Sequence, residues 1–139
     1  MSSRSKARKR AVDALYAAEL RDEMATDLLT ATQESVADRQ NQDEIFDFAM
    51  ELVSGVLANQ IEIDELLSSL AQNWTLDRMP ALDRAILRLG IYEIAFGNQV
   101  PAEVVISEAV ALASELSTDD SPAFVNGILA GVAATRKPI

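Results

Sequence analysis

Apolar residues return at intervals of three and four along almost the whole chain, and that spacing restricts it to packed helices. Between residues 42 and 58, Ile45, Phe48, Ala49, Leu52, Val53 and Val56 fall on one stripe of a 3.6-residue repeat. A first helix is predicted from residue 4 or 5 to 21, with Ala11, Val12, Leu15 and Ala18 facing the core. A shorter one over 27–36 carries Leu28, Leu29 and Ala31, and residues 37–42 read as a polar loop. Asn59 marks a break, after which Ile61, Ile63, Leu66, Leu67 and Leu70 continue to about residue 72. Trp74 lies in the following connector and reads as a core anchor. Pro80 opens a helix with Leu82, Ile86, Leu89 and Ile91 that ends at Gly97-Asn98. Pro101 opens another through Val104, Val105, Ala109, Leu112 and Leu116. Residues 117–120 form a polar turn, and Ser121-Pro122 read as an N-cap and first helical residue. The last helix carries Phe124, Val125, Ile128, Leu129 and Val132 and frays by Arg136. The expected class is all-α.

Composition agrees and removes most chemistry. Apolar residues are 49% of the 139, enough for one core, while aromatics are only 5%. Ala and Leu dominate the apolar set and favour helix over sheet. No apolar run approaches the roughly 20 residues of a bilayer crossing, and Met1-Ser2-Ser3-Arg4-Ser5-Lys6 leads into no hydrophobic segment of a signal peptide. A cytoplasmic protein without membrane contact is expected. Cysteine and histidine are absent, so disulfides, thiol nucleophiles, imidazole bases and the usual zinc ligands are excluded. No glycine-rich phosphate loop occurs. The acidic runs Glu62-Ile63-Asp64-Glu65 and Asp119-Asp120 lack the ligand number and glycine turn of a calcium loop and read as solvated surface. The chain is expected to be no enzyme and to carry no cofactor.

Charge is distributed unevenly. The net value is −10, yet the first ten residues hold Arg4, Lys6, Arg8, Lys9 and Arg10 and no acidic group. A cationic end on an anionic body would hold phosphate in one place and repel it elsewhere. Lys6, Lys9, Asp13 and Tyr16 follow one another at spacings of three, four and three, which sets an aromatic ring on the same helix stripe as the cations. A solvated basic end is the competing reading.

Three segments resemble a known family. Ala7-Arg8-Lys9-Arg10-Ala11-Val12-Asp13-Ala14-Leu15-Tyr16 is similar to the arginine-rich first helix of NusB proteins. Leu82-Asp83-Arg84-Ala85-Ile86-Leu87-Arg88-Leu89-Gly90-Ile91-Tyr92-Glu93 resembles their central LRxxxYE helix. Val100-Pro101, Ile106-Ser107-Glu108-Ala109-Val110 and Asp120-Ser121-Pro122-Ala123-Phe124-Val125-Asn126-Gly127-Ile128-Leu129 resemble the family's VP, EAV and FVNG block, in the family's order.

The resemblance implies about seven helices in a single NusB-like domain over 1–139, with helical halves at about 1–58 and 59–139. It implies binding to boxA RNA of nascent ribosomal RNA transcripts. The implied partners are the ribosomal protein NusE and the RNA polymerase antitermination complex; a homodimer is left open. Arg4, Lys6, Arg8, Lys9 and Arg10 would hold phosphates, and Tyr16 and Phe124 would stack bases unless they pack the core. Asp120 and Asn126 would bond base edges, with capping and helix packing as their alternatives. Arg84, Arg88 and Glu93 are expected in interhelical ion pairs, with Glu103 or Glu108 as candidate partners, and Gly127 in close helix packing. Asp13 stands where many relatives carry glutamine, and Ser114 where they carry lysine, so both departures weaken the basic face. Two rivals remain: the NusB-like domain of a ribosomal RNA methyltransferase, disfavoured by the missing cofactor loop and the close of the chain, and a purely structural helical module.

Overall fold

The computed structural model describes residues 2–36, 42–72, 74–97 and 99–135. Seven α-helices follow one another among them: α1 (Ser3–Arg21), α2 (Ala25–Ser35), α3 (Gln42–Ala58), α4 (Gln60–Leu70), α5 (Ala81–Ile91), α6 (Ala102–Leu116) and α7 (Ser121–Thr135). A short 3-10 turn, Leu76–Arg78, precedes α5, and a π-helical turn, Tyr92–Gly97, follows it. The loop expected over 37–42 lies almost wholly outside the described residues, as do Asn98 and the fraying expected at Arg136. None of the described helices is long and apolar enough to cross a membrane.

Helices α1, α2 and α3 pack on one another, and α5, α6 and α7 do the same. Helix α5 is the hub, touching α1, α3, α4, α6 and α7. Its apolar side chains explain this: Ile86, Leu87 and Ile91 are wholly enclosed, and Ala85 and Leu89 nearly so. Val12, Leu29, Phe46, Val53, Ile63, Leu67 and Leu129 complete the centre of the core. Phe46 is the aromatic anchor of α3, whereas Phe48, the ring on the expected stripe, is only half-buried. Ile61 also leaves its expected stripe and is exposed at the start of α4.

Local signals explain several helix ends. The Ser2 hydroxyl accepts the Ser5 N–H at 3.1 Å, an N-cap for α1. Asp22 closes α1 in the left-handed region at φ 54°. Asn59 separates α3 from α4 and sends its side-chain amide back to the Gly55 carbonyl at 2.8 Å.

The expected continuous helix from Pro80 to Gly97 changes character after Ile91. Its π-helical turn lays the Tyr92 ring directly over Gly55 of α3. A Cβ at Gly55 would stand 2.1 Å from Tyr92 Cζ, so glycine alone admits this approach. The expected N-cap at Ser121 is also different. Ser121 begins α7, and its buried hydroxyl turns back to the preceding turn and to α5.

Candidate nucleic-acid interface

Helix α1 carries the cations. Arg4 and Lys6 are exposed, and Lys9 and Arg10 are half-buried. Their spacing of three and four brings Lys6, Lys9, Arg10 and Asp13 to one side, where they line an open groove of about 290 Å³ with Gln42 and Ile45 of α3. Two rings brace this end: the Arg4 guanidinium lies 4.2 Å from the Phe48 ring centre, and that of Arg10 lies 5.2 Å from Phe46. Lys9 Nζ meets Glu115 Oε1 at 2.6 Å, and this bond raises the Lys9 pKa. Loss of water around the Asp13 carboxyl pushes its pKa up; Lys9 and Arg10 oppose the shift and Glu115 adds to it.

Arg8 departs from the expected phosphate-facing set. It is 4% exposed and forms a forked pair with Glu93, itself 5% exposed, through bonds of 2.8 and 2.9 Å. A third contact reaches Glu108 at 3.2 Å, and Glu108 also accepts from the Ser5 hydroxyl. Burial lowers the Arg8 pKa, but the two carboxylates outweigh it and the net shift is upward. The phosphate contact expected at Arg8 thus gives way to an internal ion pair. Helical geometry is the reason: Arg8 lies three and four residues before Ala11 and Val12, on the buried face of α1.

The turn between α6 and α7 forms a second locus. Asp120 and Asn126 are exposed and Phe124 is half-buried. Gly127 is exposed and would meet nothing within 4 Å if it carried a Cβ, so the expected close helix packing does not occur there. Trp74 is no core anchor. It is 39% exposed, and its ring meets Phe124 edge to face at 4.9 Å and 86°. Asp83 holds this turn against the start of α5. Only 1% exposed, it accepts from the Ser117 hydroxyl at 2.5 Å and from Ser121 at 2.9 Å. Ser121 Oγ also accepts the Thr118 N–H at 3.2 Å. The sequence offered little warning of this role beyond a carboxylate one residue from Arg84 in an apolar helix.

The remaining charges of α5 are structural. Arg84 pairs with Glu19 and donates to the Met79 carbonyl at 3.0 Å. Arg88 forks onto Asp64 at 2.8 and 3.0 Å. The expected interhelical pairs form, but Glu19 and Asp64 serve Arg84 and Arg88, while Glu108 joins Arg8. Tyr16 lies half-buried on α1, one turn beyond Asp13 and outside the lining of the groove.

Comparison with known proteins places this architecture. The chain matches the NusB family over residues 5–134. It belongs to the NusB family. A transcription antitermination protein NusB from Clavibacter michiganensis subsp. michiganensis is 52% identical over 136 residues, covering 98% of this chain and 99% of that protein. The solved T. maritima NusB superposes with a TM-score of 0.87 at 33% identity, covering 99% of this chain and 95% of its own. A crystal structure of antitermination factors NusB and NusE in complex with dsRNA contains a chain that superposes at 0.86 and 26% identity, with 98% and 99% covered. The NusB-like segments now have positions: the basic segment is α1, the LRxxxYE segment is α5 with its π-helical turn, and FVNG lies in the first two turns of α7.

Proposed function

We propose that this NusB-family protein is a transcription antitermination factor that acts without catalysis. It binds boxA RNA in nascent ribosomal RNA transcripts, pairs with NusE and joins the RNA polymerase antitermination complex in the cytoplasm. The observation that carries this reading is the α1 groove, where Lys6, Lys9 and Arg10 converge on a chain of net charge −10. Its family membership and the NusB–NusE–dsRNA composition of a solved relative supply the class of partner.

The mechanism follows from charge and position. Phosphates seat along Lys6, Lys9 and Arg10, with Arg4 at the helix start, and release condensed counterions. The acidic remainder of the surface disfavours other registers. Tyr16, Asp120, Phe124 and Asn126 are the base-directed groups in this reading, and phosphate contacts alone would carry no sequence information. NusE sharing the same strand makes the second contact intramolecular and raises affinity. A homodimer is compatible only if it leaves the α1 groove open.

Filter binding of boxA and scrambled RNA, with and without NusE, tests the proposal. Each cation on phosphate adds about −0.7 to the slope of log K against log salt. Replacing Lys6, Lys9 and Arg10 by Ala should therefore reduce the slope by roughly 2 while helicity persists. Unchanged affinity and slope in that folded variant would remove the site. Equal affinity for scrambled RNA, or no gain from NusE, would remove the specific function.

A further inference from the structure

We propose that Trp74 is a second base-stacking ring, forming with Phe124 a two-ring corner for consecutive bases of a single-stranded RNA. The proposal rests on the RNA-binding reading and extends it to a residue that the composition of the chain marks for the core.

Three observations carry it. First, Trp74 leaves 39% of its surface open, although an indole is a large apolar group whose burial would stabilise the fold. Second, that open ring is not isolated. It meets Phe124 at 4.9 Å with the planes at 86°. In such a perpendicular pair the edge-on ring keeps both its faces clear of its partner, so a flat surface remains for a base. Third, both rings stand on tethered backbone. The Trp74 N–H donates to the Ala71 carbonyl at 3.2 Å, and Arg84 holds the Met79 carbonyl at the end of the same connector. On the other side Asp83 binds the Ser117 and Ser121 hydroxyls and fixes the turn that leads to Phe124. A corner already in place loses little freedom when a ligand arrives.

The chemistry of the ligand follows. An aromatic corner takes the π-face of any base. Exposed Asp120 ends the turn and disfavours phosphate there, while accepting hydrogen bonds from amino or imino groups of bases. Arg78, exposed and in no ion pair among the described residues, lies in the Trp74 connector and offers a cation for the backbone. A duplex, whose bases are already stacked, has no free faces to present.

Trp74 is the single tryptophan, so the indole emission of the intact protein reports this position alone. Single-stranded boxA RNA is titrated while emission and filter retention are followed in parallel. Emission should be quenched along the same saturation curve as retention. W74A should lower affinity roughly 5- to 150-fold, the effect of losing one base–ring stack, and W74F should lose less. Melting curves of both variants separate folding from binding; W74F keeps a ring in place should W74A unfold. RNA retained with unchanged emission, together with normal affinity in W74F and in folded W74A, overturns the proposal and leaves the RNA-binding reading standing. No retention of any RNA overturns both. Emission that responds to NusE alone and not to RNA overturns it by assigning Trp74 to a protein contact.

Discussion

Replacing Arg8 by Ala separates an internal ion pair from an RNA contact. The guanidinium spans Glu93 and Glu108, and both Arg8 and Glu93 are almost wholly enclosed. Removing it leaves one buried carboxylate without its forked partner and a second close by. Breaking a buried pair from one side costs about 3–5 kcal/mol. With an unfolding entropy of about 2.1 cal/mol/K per residue, a chain of 139 residues loses roughly 10–17 °C of melting temperature. The upward pKa shift of Arg8 fixes the pH behaviour. A raised folded value means that its contribution is full below the unfolded pKa and is lost only as pH rises through the folded one. The destabilisation of Arg8→Ala should therefore be constant through neutral and mildly alkaline pH. Calorimetry on Arg8→Ala, Glu93→Leu and the double variant Arg8→Met with Glu93→Leu forms the assay. The double variant should recover much of the loss, because apolar residues of similar volume replace a buried pair at little cost. RNA titrations over salt should give the parental slope in every folded variant. An Arg8→Ala protein that melts within about 2 °C of the parent, yet loses about 0.7 of salt slope, would refute the ion-pair argument and seat Arg8 on phosphate.

Asp13→Asn should strengthen RNA binding about threefold, since a carboxylate about 7 Å from a phosphate in water repels it by about 0.6 kcal/mol; unchanged affinity in a parallel titration would exclude Asp13 from the RNA face. The raised Asp13 pKa gives a second readout: its stabilising proton is fully present below the ordinary carboxylate range and is lost as pH rises through the folded value, so Asp13→Asn should gain on the parent in melting temperature at pH 7 relative to acid conditions. Gly55→Ala sets two magnitudes against each other. Alanine gains up to about 1 kcal/mol of helix propensity, but its Cβ would meet Tyr92 Cζ at 2.1 Å, and overpacking of this kind costs typically 1–3 kcal/mol or more. A lowered melting temperature is expected, and one at or above the parent would show that Tyr92 moves aside freely.

The helices themselves were legible because helix formation is local: propensity, periodicity and the breaks at Asn59, Pro80, Pro101 and residues 117–120 all act within a few residues. The cationic stripe was legible for the same reason, since Lys6, Lys9 and Asp13 share a side of one helix whatever packs behind it; Gln42 and Ile45 of α3, which make it a groove, come only with packing. The NusB likeness also lay in the sequence, in the order of three segments. Arg8 was mistaken because a run of basic residues hides the phase of its helix. Its place three and four residues before Ala11 and Val12 turns it inward, and Glu93 of the π-helical turn and Glu108 of α6, 85 and 100 residues away, supply the carboxylates that let a cation stay there. Trp74 was mistaken because composition favours burying an indole, whereas its burial depends on what other segments bring to it; here Phe124 of α7 meets the ring edge to face and 39% of the residue stays exposed. Asp83 was overlooked for the complementary reason. Its partners Ser117 and Ser121 arrive only when α6 and α7 fold back over the start of α5. Spacing along one helix is set by bonds four residues apart, while exposure and pairing across helices are set by which distant faces meet, and that meeting is a property of the packed chain alone.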